Sequence, residues 1–421
     1  MIPLSVLDLA PIPTGRTAHD ALHNTLDLAQ RTESAGYHRY WLAEHHLAPG
    51  VASSAPQILI AAVAAATSRI RVGSGAVQTG NWTPLTIVEQ FGTLDALHPG
   101  RIDLGLGRSG QRHTEHKAAE DVDGLLIPAP FDPSSLAKSP KFAVQNTLLQ
   151  QQNRDFADIV TDITALLDGT YTTDGHEAHA NPGENTELEL WILGSSGGQS
   201  AHVAGERGLP FAANYHVSPS NVLEAVRTYR QSFRPSATLD EPYVIVSADV
   251  VVAPTDEEAR ELASPYALWV HSIRSGLPAI PFPTPAQAAA HQWHPGDLDL
   301  VADRVHTQFT GSPETVVTGL EILRRVTAAN ELLITTITHD HTDRVRSYDL
   351  LATAWNQTHP RPPHQPPKRP VTQDIKPGKQ PAGSTDRLAT GASWIRAGWR
   401  QESRRGRQSV QPVALLGRKL L

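Results

Sequence analysis

The chain has 421 residues, of which 39% are hydrophobic and none is cysteine, and its formal net charge is −7. That length supports one large domain or two ordinary ones, and the missing cysteines exclude disulfides, thiolate metal sites and a cysteine nucleophile. No uncharged apolar run approaches the ~20 residues a helix needs to cross a bilayer, which excludes a helical membrane protein.

In chain order, residues 4–9 (LSVLDL) read as a first strand, and "MIPLSVLDLAPIP" lacks the basic start of a signal peptide, so the cytoplasm is the expected location. Thr17 with Asp20 forms a capping-box start, and Leu22, Leu26 and Ala29 share a helical face that ends at Gly36. Residues 38–43 (HRYWLA) are the second strand, followed by an alanine-rich helix over 56–67. The third strand is 70–76 (IRVGSGA). Thr83 then caps a helix with Pro84 at its first position and Leu85, Val88 and Phe91 inward. Residues 102–106 make the fourth strand.

Residues 109–142 are polar and carry His113 and His116. They are too long for an ordinary connection and read as an insertion over a functional face. Helix resumes over 144–167. Later strands are 188–194 (LELWILG), 209–213, 243–252 (YVIVSADVVV) and 332–336 (LLITT). Helices are expected over 221–234, from Ser312-Pro313-Glu314 with Val316, Leu320 and Leu323 on one face, and over 344–355. A second irregular excursion covers 275–298.

Eight strands, each followed by helix, predict an α/β fold, a (β/α)8 TIM barrel with insertions after strand 4 and before the last βα unit. A doubly wound sheet is the alternative. The barrel domain is assigned to 1–357. From 358 to 421 the chain is Pro-rich and holds 13 Lys/Arg against 3 Asp/Glu. This basic tail is expected to be disordered, and without aromatic interleaving it does not point to nucleic acid.

"RIDLGLGRSG" (101–110) contains Gly105-x-Gly107-x-x-Gly110, the literal form of a dinucleotide-binding turn. Such a turn should open a helix in the first βα unit. Here it closes the fourth strand, and the polar "QRHTEHKAAEDVDG" after it has no apolar face. What remains is Arg108 at the carboxyl end of a strand, where an arginine can bind a phosphate or make a rim salt bridge. "WILGSSGGQSA" gives a second candidate anion site, because Gly194-Ser195-Ser196-Gly197-Gly198 runs from a strand into a helix start. An ordinary N-cap turn is the alternative.

"WLAEHH" ends the second strand. Alternation places His45 with Trp41 and Ala43 on one face, and His46 with Leu42 and Glu44 on the other. One of the two should point toward the barrel axis and the other toward the helices, so the pair does not suit a shared metal; a histidine at that strand end is an acid/base or hydrogen-bond donor, or a satisfied core or loop histidine. "THDHTD" offers His339-x-His341 as a metal half-site, which would suit a metal-dependent hydrolase, or else a polar loop capping the last helix. No metal ligand is assigned.

These segments together resemble the bacterial luciferase-like, flavin-dependent monooxygenases. The resemblance rests on "AGYHRYWLAEHH", "IRVGSGAV", "IVEQFGTLDALHPGRIDLGLGRS", "WILGSSGGQSAHVAGERGLPFA", "GSPETV" and "HDHTDRVRSYDLLA", in the family's order from Leu4 to about Trp355. It implies a TIM barrel using reduced FMN, supplied by a separate flavin reductase, and dioxygen. A C4a-peroxyflavin would then oxidise a small organic substrate such as an aldehyde or ketone. By position it implies that His45 is catalytic and that Arg108 and the turn Gly194, Ser195, Ser196, Gly197 and Gly198 hold the FMN phosphate. Gly75-Ala76 would be the site of the family's frequent non-proline cis peptide against the flavin. A deazaflavin-dependent hydride-transfer enzyme shares the same pattern, and family members are often dimers. Ser195 stands where the luciferase catalytic subunit has an acidic residue, and Gly107 where it has a cysteine, so light emission is not implied.

Overall fold

The computed structural model describes residues 2–108, 118–132, 144, 147–149 and 154–359. Its barrel strands are β1 (Leu4–Asp8), β2 (Arg39–Leu42), β3 (Arg71–Ser74), β4 (Ile102–Gly107), β5 (Glu189–Gly194), β6 (Phe211–Asn214), β7 (Val244–Val252) and β8 (Glu331–Thr335). All pair in parallel in the order β5-β6-β7-β8-β1-β2-β3-β4, and β4 pairs back onto β5, so the sheet closes without an edge. Two short strands, Val77–Gln78 and Phe309–Gly311, extend the barrel beside β4 and β7. The eight expected strands are thus the eight of the barrel, but the third stops at Ser74 and resumes at Val77. The break is the Gly75–Ala76 peptide, which is cis.

The surrounding helices are α1 (Ala18–Ala35), α2 (Pro56–Ala66), α3 (Pro84–Leu97), α4 (Phe156–Leu167), α5 (Gln199–Glu206), α6 (Val222–Ser232), α7 (Pro313–Thr327) and α8 (His341–Thr358). Thr17 and Asp20 complete the expected capping box, Thr83 caps α3 ahead of Pro84, and Ser312 caps α7. Val316, Leu320 and Leu323 are buried as expected.

Two inward assignments need correction. Leu85 is 45% exposed, and Ile87 joins Val88 and Phe91 in facing the barrel. On α1 the buried face is Ala21, Thr25, Leu28, Ala29 and Thr32, with Leu22 and Leu26 only half-buried. Asp8 decides that rotation. It points outward from β1 and accepts from Thr25 Oγ1 (2.7 Å), Tyr40 OH (2.5 Å) and Arg344 Nη2 (2.7 Å), which turns a polar residue of α1 inward. Burial alone would raise the Asp8 carboxyl, but the Arg344 guanidinium and these hydrogen bonds hold it below its ordinary value.

The expected helix over 144–167 is seen as α4 from Phe156, and the residues before it lie largely outside the described ones. So do His113, His116 and residues 360–421. Within the first insertion, Glu120–Val122 and Leu125–Ile127 form an antiparallel hairpin.

Side chains alternate along each strand between two cores. Val6, Tyr40, Val72, Leu104, Ile192 and Val246 face the helices. Leu7, Trp41, Trp191, Leu193, Ala212, Ile245 and Leu333 fill the barrel. Below them, at the amino-terminal ends of the strands, lies a buried ion cluster. Arg39 reaches Asp103 (2.9 Å), Glu189 (2.7 Å) and Glu331 (3.1 Å), Arg71 reaches Asp103 (2.7 Å), and Trp41 Nε1 donates to Asp103 at 2.8 Å. Charges packed this way close the floor, so ligand access is left to the carboxyl-terminal mouth.

Part of that mouth is roofed. Between β7 and α7 the chain forms helices Asp256–Ala263, Pro265–Arg274, Pro285–Ala290 and Ala302–His306, a larger excursion than the one expected over 275–298. It is anchored on β7 by Asp249, which accepts from Tyr266 OH and from Arg304 at 3.3 Å. The excursion crosses to the loops after β1 and β2, where Phe282 N donates to Ile12 O (2.8 Å) and Gly50 N to Ala279 O (2.7 Å). Gly50 has to be glycine, since a Cβ there would sit on the Ile280 carbonyl oxygen. Tyr266, Trp269, Val270 and Phe282 extend the inner core beneath this roof. The roof also meets the segment that follows β4, where the Arg274 guanidinium lies over the Phe131 ring at 4.2 Å.

Candidate active site

At the end of β2, Trp41 and Ala43 belong to the inner core and Leu42 to the outer, so the alternation read from the sequence holds. His45 continues the inner series, is half-buried, and has its backbone N–H fixed on Ser53 O at 2.8 Å. Its neighbours do something else. Glu44 is buried and accepts from Gln78 N (2.8 Å), Asn81 Nδ2 (3.0 Å) and Trp82 Nε1 (3.0 Å), and His46 Nε2 lies 2.8 Å from it. Glu44 therefore pins the loop that follows Gly75–Ala76 to the strand that carries His45. Sequence reading placed Glu44 on the face opposite His45 but gave it no role, because its partners lie about thirty-five residues away.

Gly75 and Ala76 stand on the inner side of the mouth, with Ala76 packed against the inner core. Gly105 is a packing requirement. A Cβ there would meet the Ser74 carbonyl oxygen and, at 2.9 Å, Leu193. The glycines of "DLGLG" thus let β3, β4 and β5 approach one another closely, which answers the resemblance of this stretch to a dinucleotide turn.

Arg108, exposed, leaves β4 directly after Gly107, and Gly107 is in register with Leu193 on β5. The Gly194–Gly198 turn therefore begins beside Arg108. That turn leads into α5, whose N-cap Gly198 supplies no side-chain hydrogen bond, so its first N–H groups keep their capacity for an anion. Gln199 at the helix start donates to both oxygens of Asp155 (2.9 and 2.7 Å), the N-cap of α4. Asp155 is held below its ordinary value by Gln199 first, then by the Ala157 N–H, with the Arg108 charge contributing. The structure thus gathers two candidate anion-binding features that are ~85 residues apart in sequence. It adds Asp155 and Gln199, which no local pattern marked.

On the opposite wall, Asn214 at the end of β6, His216 just beyond it and Ser247 on β7 share the inner parity, and His216 Nδ1 lies 2.6 Å from Ser247 Oγ. Sequence reading missed all three, since "NYHVSP" matches no chemical motif.

The His339-x-His341 pair does not converge. His339 Nε2 lies 3.0 Å from Thr14 O, while His341 Nε2 lies 2.9 Å from Asp27. Asp340 between them caps α8 through Thr342 N at 2.7 Å. The polar-loop alternative is the one seen. Among the described residues there is no group of three or more His, Asp or Glu side chains placed to hold a metal ion, and no helix long and apolar enough to cross a membrane.

With this geometry, residues 2–330 match the luciferase-like monooxygenase family. The chain belongs to that family. A luciferase-like monooxygenase of Escherichia coli (strain K12) is 35% identical over 350 residues, covering 83% of this chain and 96% of the relative. The crystal structure of apo-MsnO8 superposes with a TM-score of 0.70 at 33% identity, covering 84% of this chain and 98% of the other. An FMN complex of the oxygenating constituent of 3,6-diketocamphane monooxygenase from Pseudomonas putida (17% identity, TM-score 0.57) and an F420-dependent secondary alcohol dehydrogenase (13%, 0.53) share the fold. They cover 84% of this chain each, and 97% and 98% of their own. As a luciferase-like monooxygenase, the chain is an oxygen-incorporating oxidoreductase on a (β/α)8 barrel.

Proposed function

We propose that this luciferase-like monooxygenase binds FMN at the carboxyl-terminal mouth of its barrel and uses it, reduced, with dioxygen to oxidise a small organic substrate such as an aldehyde or ketone. The observation that carries this reading is the register of β4 and β5, which sets Arg108 beside the Gly194–Gly198 turn. An arginine next to an uncapped helix start suits a phosphate monoester, with Ser195 and Ser196 as further donors. From there the small residues Gly75, Ala76 and Gly107 leave room for a flat ring between His45 and the β6–β7 wall.

When bound, reduced flavin supplies the reaction with dioxygen. The chain's own work is to hold the ring in place, to keep water off it beneath the roof, and to present His45 as a hydrogen-bond or proton donor at the reacting centre. Because the glycine stretch closes the fourth strand instead of opening a nicotinamide-binding unit, we assign the supply of reduced FMN to a separate flavin reductase, with both proteins in the cytoplasm. A homodimer belongs to the same reading. Ile58 on α2 (72% exposed) with Leu85 and Leu97 on the adjacent α3 (45% and 67%) present apolar surface that a second copy could cover.

The test is an anaerobic titration with reduced FMN, reduced deazaflavin coenzyme and zinc, followed by oxygen. Tight binding of reduced FMN and oxygen uptake by the complex are expected. Binding of the deazaflavin alone, with no reaction with oxygen, would move the protein to hydride transfer. Zinc binding without flavin binding would overturn the reading.

A further inference from the structure

A carboxylate offers two acceptor oxygens with room for about four hydrogen bonds, and a buried one needs most of that capacity filled. Buried Glu44, just beyond β2, fills most of it from one segment, residues 78–82. Its Oε2 accepts from Gln78 N (2.8 Å), and its Oε1 accepts from Asn81 Nδ2 and Trp82 Nε1 (3.0 Å each). Gln78 returns the contact through its own side chain, whose Nε2 donates to Glu44 O at 2.6 Å.

That segment joins the two ends of the candidate site. Ahead of it, Gly75 N donates to Leu42 O at 2.8 Å, so the chain is tied to the β2 side both before and after Ala76. A Cβ on Gly75 would meet Leu7 Cδ1 at 2.7 Å and Trp41 Cβ at 3.2 Å, which seats this stretch directly on the inner core. On its other side, Val77 and Gln78 pair with Leu106 and Gly107 of β4, and Thr79 Oγ1 donates to Gly107 O at 3.2 Å. His45 follows Glu44 in the chain, and Arg108 follows Gly107. One carboxylate thus holds the loop that runs between the residue assigned to the ring and the residue assigned to the phosphate.

We propose that Glu44 is a positioning residue, which presets the wall for the flavin ring by holding Ala76 in register with His45. It acts through the loop and not on the cofactor itself. This rests on the FMN reading above for the place of the ring. Glutamine cannot do the same work, because its amide has one oxygen and one NH2 group. If that oxygen accepts from Asn81 and Trp82, the NH2 faces the Gln78 N–H; turned over, it faces the two side-chain donors. Either way a donor loses its acceptor, and the loop shifts to find another.

The test is a fluorescence titration of the full chain with FMN and with riboflavin, in the wild type, E44Q, W82F and the variant carrying both changes. The ring is common to the two ligands, so E44Q should weaken both by the same factor, about ten-fold. Iodide should also quench the bound flavin more readily in E44Q, because the ring loses part of its cover. W82F removes one donor to Glu44 and keeps a half-buried aromatic ring in place. It should weaken both ligands about three-fold in the wild-type background and add nothing to E44Q, since that indole N–H acts through Glu44. A role in folding alone would lower the urea midpoint of E44Q and leave both affinities as they were, and that result overturns the proposal. So does a loss confined to FMN, which would put the effect at the phosphate, or a W82F loss of equal size in both backgrounds. Should E44Q fail to fold, W82F decides: a matched loss supports the assignment, and unchanged affinity for both flavins overturns it. A wild type that binds neither flavin fails at the preceding reading and takes this one with it.

Discussion

Leu193 on β5 lies in register with Gly107 on β4, so Arg108 and the Gly194–Gly198 turn leave the barrel side by side. If that junction holds a phosphate, R108A should weaken FMN by about 10- to 100-fold, the range expected for losing charge-assisted hydrogen bonds. Riboflavin, which lacks the phosphate, should bind both proteins alike. Flavin-fluorescence titrations with the two ligands check this, and equal losses for both would remove the phosphate assignment.

His45 extends the inner series of Trp41 and Ala43 to the rim, with its backbone fixed on Ser53. H45A should cut product formation by about 100-fold or more, the usual weight of a positioned acid or base, and leave FMN affinity close to wild type. Reductase-coupled assays with product analysis would decide it. Undiminished product would strip His45 of its role.

The barrel floor makes a prediction about stability. Arg39 is buried against Asp103, Glu189 and Glu331, and burial, which would lower its pKa, is outweighed by those carboxylates, so it stays charged. R39M leaves the acids without their partner and should cost about 3–5 kcal/mol. Urea unfolding at neutral pH measures it. A loss below about 1 kcal/mol would mean that Arg71, paired with Asp103, and Tyr243, whose hydroxyl donates to Glu331 at 3.0 Å, alone satisfy the cluster.

Glu33 near the end of α1 accepts from the backbone N–H groups of Ser68 (2.8 Å), Arg69 (2.6 Å) and Ile70 (3.0 Å). Partial burial raises its pKa, but the hydrogen bonds prevail and bring it from 4.5 down to about 2. A folded value below the unfolded one means that stability is present above about pH 4.5 and is lost as pH falls toward about 2. E33Q should therefore be less stable than wild type at neutral pH, by under about 1 kcal/mol because the group is largely solvated. The difference should shrink in acid. Paired urea melts at about pH 7 and pH 3 check the sign, and a gap that widens in acid would reverse it.

Much of this protein was legible in its sequence because the deciding interactions are local or periodic. Strand and helix positions follow from apolar runs and from caps such as Thr83–Pro84 and Ser312–Pro313, which act within four residues. Alternation along "WLAEHH" put His45 and Glu44 on opposite faces for the same reason. What the sequence could not decide depends on which distant segments meet once the barrel closes. Asp8 drawing Thr25 to the inside of α1, Glu44 gripping Gln78, Asn81 and Trp82, and Ser247 fixing His216 are all contacts between different elements of the chain. Closure itself made Arg108 and the Gly194–Gly198 turn neighbours, because parallel pairing of β4 with β5 aligns residues ~85 apart in the chain. Local propensity, then, determined the elements and the opposite facing of His45 and Glu44. The tertiary structure decided the site, because hydrogen-bond partners are chosen by proximity in space.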